Sequence, residues 1–144
     1  MTRTRAVLLI GPVLVAVFLM TAPLAAATPG WAVGRWHASL SQRGLRQVSM
    51  SIHSASANHT AGWMHFKLSG GYTACRATLM FVGEQDGDAE FVIRFKRTKS
   101  KSAKSYCQPR RKGVHFDFDD THWGVFTNLL GPDQTWGRMF SPSR

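Results

Sequence analysis

Cysteine is scarce: Cys75 and Cys107 are the two in 144 residues, and they neither form a C-x-x-C nor stand at ligand spacing from a histidine. That excludes the usual dithiol redox motif and the common thiolate zinc sites. Acidic side chains are also few, eight against 18 Lys and Arg. No G-x-S-x-G, no H-E-x-x-H and no internal repeat occurs, so the local signatures of a serine hydrolase or a zinc protease are missing. Past residue 27 no stretch of eleven or more residues carries a clean helical stripe. A helical or α/β fold therefore has no support from patterning.

The one long apolar run lies at the N-terminus. Arg3 and Arg5 precede the apolar run from Ala6 to Met20, and the small residues Ala25, Ala26 and Ala27 follow. A basic start, an apolar stretch and a small-residue site make a secretory signal. Residues 1–27 are expected to be a cleaved signal peptide and residues 28–144 a single β-rich domain, periplasmic or secreted. The rival is an uncleaved anchor, since Ala6 to Ala27 carries no charge and could cross about 30 Å of hydrocarbon. Gly11-Pro12 breaks the run and the Ala triplet suits a peptidase, so membrane anchoring is not expected. Either way the flanking Arg3 and Arg5 place the rest of the chain outside the cytoplasm.

Cleavage after Ala27 leaves 117 residues with 16 Lys and Arg against eight acids, a formal +8. That length suffices for one domain with its own core. In an oxidising compartment two cysteines are most simply one disulfide, so Cys75 is expected to join Cys107.

Alternation of period two recurs along the chain. Val48, Met50 and Ile52 alternate with Ser49, Ser51 and His53; Met64, Phe66 and Leu68 alternate with Trp63, His65 and Lys67. Phe91, Ile93 and Phe95 share one face, and Val114, Phe116 and Phe118 oppose His115, Asp117 and Asp119. Val33–Leu40, Ala77–Val82, Trp123–Leu129 and Thr135–Phe140 are further strand candidates. Turn chemistry at Ser69-Gly70-Gly71, Glu84–Asp88, Asp119-Asp120 and Gly131-Pro132-Asp133 separates them. The expectation is an all-β antiparallel meander of about eight strands, barrel or sandwich, with Phe66, Phe95, Phe116 and Phe118 in its core.

Gly34-Arg35-Trp36, on the first predicted strand, resembles the G-x-W that opens lipocalin and avidin-type barrels of the calycin kind. The resemblance implies an eight-stranded barrel whose first-strand Trp closes one end. It carries over no pocket residue and so implies no ligand.

The strongest local anomaly is the stretch from Lys96 to Lys112, between the fifth and sixth strands. It holds Lys96, Arg97, Lys99, Lys101, Lys104, Arg110, Arg111 and Lys112 and no acid, whereas acids gather at Glu84–Glu90 and Asp117–Asp120. Small residues separate the cations, Tyr106 offers a stacking surface, and Cys107 would tie the loop to the body. A tethered basic loop suits an anionic polymer or an acidic protein surface. The bland reading is a soluble hairpin tip guarded against edge pairing. Nucleic acid is disfavoured because no recognition-module signature accompanies the charge. His115, Asp117, Asp119 and His122 supply the raw materials for acid-base work or metal ligation, but no nucleophile joins them and they read as an exposed polar face. No cofactor, metal or catalytic residue is expected. The first functional reading is an exported binding protein that uses the basic loop, and the alternative is an exported inhibitor or immunity protein.

Overall fold

The computed structural model describes residues 26–42, 45–68, 73–96, 107, 113–129 and 134–143. The strands are β1 (Gly34–Gln42), β2 (Leu45–Ile52), β3 (His59–Leu68), β4 (Thr73–Gln85), β5 (Asp88–Phe95), β6 (Val114–Phe118), β7 (Trp123–Thr127), β8 (Thr135–Met139) and β9 (Ser141–Pro142). Each of the first eight pairs antiparallel with its neighbours in sequence, and β9 returns to pair with β1. The result is a nearly closed barrel. Among the described residues the expected count of about eight becomes nine because the last strand breaks at Phe140: its first half pairs with β7, and its second places Ser141 and Pro142 opposite His37 and Trp36. The Phe140 amide donates to His122 O across this break. Ser143 completes the closure, its amide donating to Arg35 O and its hydroxyl hydrogen-bonded to His37 Nδ1 at 3.1 Å.

The alternation seen in the sequence decides which side chains enter the barrel. Val48, Met50 and Ile52 on β2, Met64 and Phe66 on β3, and Leu79 and Phe81 on β4 are buried, as are Phe91 on β5, Phe116 and Phe118 on β6 and Phe126 on β7. Seven phenylalanines fill the interior, as side chains do in a barrel of this size. Phe116 is their hub, its ring centroid 4.6 Å from Phe126, 5.6 Å from Phe140, 5.7 Å from Phe118 and 6.2 Å from Phe91. Gly124 faces this hub, and a Cβ there would come within 2.5 Å of the Phe116 ring. Phe95, expected in the core, is only half-buried. It is the last residue of β5, where the chain leaves the barrel, and it touches the core edgewise at Phe66.

Trp36 is buried at one end of the barrel. Its indole N–H donates to Ala32 O in the turn that runs through Pro29 and Gly30, and its ring packs on Phe118 and His122. Of the expected export signal only Ala26 and Ala27 lie among the described residues. Ala26 O accepts from the Ala57 amide and Ala27 bridges Ser56. Thr28, the expected mature N-terminus, is buried and bonded both ways to Ala55. Among the described residues no helix is long and apolar enough to cross a membrane.

Candidate functional site

Of the expected binding residues, Arg97, Lys99, Lys101, Lys104, Tyr106, Arg110, Arg111 and Lys112 lie outside the described residues, as do the turns at Ser69-Gly70-Gly71 and Gly131-Pro132-Asp133. The start of the basic segment and its disulfide anchor are described. Lys96 is exposed, and its amide donates to Arg76 O at 2.8 Å, so the segment leaves the sheet beside Arg76. Cys107 is bonded to Cys75, as expected, across a sequence separation of 32. Both cysteines are buried, and Cys75 lies opposite the core residue Phe66 on β3. The staple therefore holds the middle of the segment against the end of the barrel remote from Trp36. A disulfide is what an oxidising compartment permits.

The strand surface next to Lys96 is itself cationic. His65 lies directly across from Arg76. Burial first, and then the fields of Arg76, Lys96 and Lys67, hold its imidazole below the ordinary value of 6.5. Trp63 is 40% exposed, and its ring centroid lies 4.6 Å from that of His65. The chain has no Asp or Glu before Glu84, so β1 to β3 and most of β4 carry no negative side chain. That absence was a signal in the sequence, but only strand register gathers these scattered cations on one face.

Among the described residues the acids lie toward the opposite end. The β4–β5 turn, with Asp86 and Gly87 both at positive φ (54° and 91°), is a tight Asp-Gly hairpin that carries Glu84, Asp86 and Asp88. Glu90 faces Asp117 directly across β5 and β6. Burial, then Glu90 and Asp88, raise the Asp117 carboxyl above its ordinary value, with His115 opposing. An acid whose pKa is raised by folding destabilises the fold once it ionises. Asp117→Asn should therefore stabilise the protein at pH 7 by up to about 1 kcal/mol, the scale of a cross-strand pair. The gain should vanish below the ordinary carboxyl value of 3.8, where Asp117 is protonated folded or unfolded. Urea denaturation of both proteins at the two pH values measures it, and a loss of stability at pH 7 would contradict it.

The acid-base materials around β6 do not converge. The strand ends at Phe118, so Asp119 is not on its face as expected. Its carboxylate instead closes the turn, accepting from the Thr121 hydroxyl (2.7 Å) and the Thr121 and Trp123 amides (both 2.9 Å). Burial pushes this carboxyl up, but those hydrogen bonds and the field of His122 outweigh it and leave its pKa below the ordinary value. His122, at φ 67°, turns its ring onto Trp36, 4.4 Å away, while His115 is exposed on the outer face. Among the described residues no group of three His, Cys, Asp or Glu could hold a metal ion.

The described residues define a class by fold: a nearly closed antiparallel β-barrel with one disulfide and an interior packed with aromatic and aliphatic side chains. No protein family, curated protein or solved structure matches the chain.

Proposed function

We propose that this is an exported binding protein that engages an anionic partner, polymer or acidic protein surface, through the disulfide-tethered basic segment Lys96–Lys112. The observation that carries the reading is the placement of two fixed points of that segment, its start and its disulfide. Lys96 is bonded to Arg76, and Cys107 is stapled to Cys75 on the same strand. The segment, which carries eight cations in its sequence, is thus fixed at Lys96 and Cys107 to a strand whose outward Arg76 faces His65 with no acid between them, and local charge of one sign raises both capture rate and residence of an anion. A tether at its middle also reduces the entropy lost when the segment is ordered by a partner.

The test is charge reversal. Changing Arg110, Arg111 and Lys112 to Glu should weaken binding to an anionic partner far more than the same change at Arg43 and Arg46. Added salt should weaken wild-type binding steeply, because the screening length shrinks from about 10 Å at 0.1 M to about 3 Å at 1 M. Circular dichroism of both variants should match wild type, so that any change in affinity reports on binding. Equal affinities for all three proteins would retire the segment as the contact.

A second reading, an inhibitor or immunity protein, is favoured by one observation, the tight, projecting hairpin turn at Asp86-Gly87 with Glu84 and Asp86 exposed. Such a tip could enter a cationic cleft. It would form a one-to-one complex with a single protein and be lost on changing Asp86 and Asp88, not Arg110–Lys112.

A further inference from the structure

Register on the outer face of the barrel produces an arrangement that no segment of the sequence contains. Arg35 on β1 lies opposite Ser51 on β2, Ser51 opposite Trp63 on β3, Trp63 opposite Thr78 on β4, and Thr78 opposite Arg94 on β5. The five form one row across five strands: cation, hydroxyl, indole, hydroxyl, cation. With strands about 4.8 Å apart, the row spans about 19 Å of backbone, with Trp63 at its centre. Arg35, Trp63 and Arg94 are exposed, and Ser51 and Thr78 are partly so. A second row lies two residues along each strand, about 7 Å away. There His37 faces Ser49, Ser49 faces His65 and His65 faces Arg76, whose carbonyl receives the Lys96 amide. Neither row contains an acid.

We propose that this face is a binding platform for an acidic polysaccharide lying across β1–β5, with a sugar ring stacked on Trp63 and carboxylate or sulfate groups held by Arg35 and Arg94. The proposal rests on the reading of the protein as a binder of anions, but it assigns a different set of residues from the basic segment. Three features select this occupant. The cations at both ends of the row complement a chain that carries charge at intervals, and no negative side chain in either row opposes it. The indole is a flat apolar surface with a polar edge, already held in place by the His65 ring, and it suits the apolar face of a sugar. Ser51 and Thr78 flank it with hydroxyls that can exchange hydrogen bonds with sugar hydroxyls. Single-stranded nucleic acid binds across several aromatic platforms that receive successive bases, whereas these two rows offer one indole.

The experiment measures binding of the purified, disulfide-bonded protein to polygalacturonate, with neutral dextran and an oligothymidylate as comparison probes. Polygalacturonate should bind and dextran should not. Trp63→Ala should weaken polygalacturonate binding about tenfold, and Trp63→Phe much less. The double change Arg35→Glu, Arg94→Glu should weaken it further and reduce the steepness of its salt dependence. Circular dichroism of each variant should match wild type, because the three residues are exposed. Unchanged affinity in Trp63→Ala and in the double variant overturns the platform. If the Arg110, Arg111, Lys112 reversal then abolishes binding, the basic segment stands as the site without it. Failure of the wild type to bind polygalacturonate also overturns the platform. Tighter binding of oligothymidylate with the same variant pattern would keep the face but replace its occupant, overturning the polysaccharide assignment.

Discussion

Phe116→Ala should lower the stability of the domain by about 3–5 kcal/mol, the range for removing a fully buried aromatic ring. Four other phenylalanine rings contact Phe116, from β5, β6, β7 and the break at Phe140. At Gly124 on β7, which also faces the void, there is no side chain to move in, and Phe126 is already packed against its other neighbours Phe66, Trp136 and Phe140. The surrounding strands are held by ladders on both sides, so the walls can collapse only partly and the cavity contribution stays large. Domains of this size are stable by about 5–15 kcal/mol in total, so the variant should unfold at a much lower urea midpoint with an unchanged slope. Phe95→Ala provides the internal comparison and should cost clearly less, because Phe95 is half-buried at the strand end. Equal losses at the two positions would show that the ring hub is not the centre of the core.

Removing the disulfide should be nearly as costly. Changing Cys75 and Cys107 together to Ala opens a loop of separation 32, for which chain entropy gives about 3–4 kcal/mol. Reduction of the wild type should reproduce the loss, since both routes release the same constraint on the unfolded chain. The change also separates the two candidate surfaces. Without the staple, the basic segment remains attached through Lys96 and Gly113 but loses its hold at the middle, so binding that depends on it should weaken. Binding through Trp63, Arg35 and Arg94, which lie in strands, should persist wherever the domain remains folded. A double variant as stable as wild type would mean that the strand ladders alone fix the end of the barrel.

The fold was largely legible because its main determinant is local. Alternation on β2, β3, β5 and β6 is unbroken by other signals, and it assigns Val48, Met50, Phe66, Phe91 and Phe116 to the interior without knowledge of strand pairing. The ends were harder. Asp119 continues the alternation of β6 in sequence, but its carboxylate gains three hydrogen bonds by closing the turn, and that local satisfaction ends the strand. The break at Phe140 left no mark either, because it is enforced by the bond to His122 and by the return to β1, both distant in sequence. For the surface the position was reversed. Charge density along the chain pointed to Lys96–Lys112, whereas the row through Trp63 takes one residue from each of five strands. Only register could assemble it.

The closure of the sheet also bears on how the domain must fold. Nearly every pairing joins strands adjacent in the chain, so hairpins can zip from either end at small entropic cost. The exception is the return of Ser141 and Pro142 to β1, sealed by a contact between His37 and Ser143 at a sequence separation of 106. Until those last residues dock, β1 and β8 are both free edges, able to template pairing with another chain. The final few residues therefore act as a latch, and the protein is most exposed to aggregation in the interval before it engages.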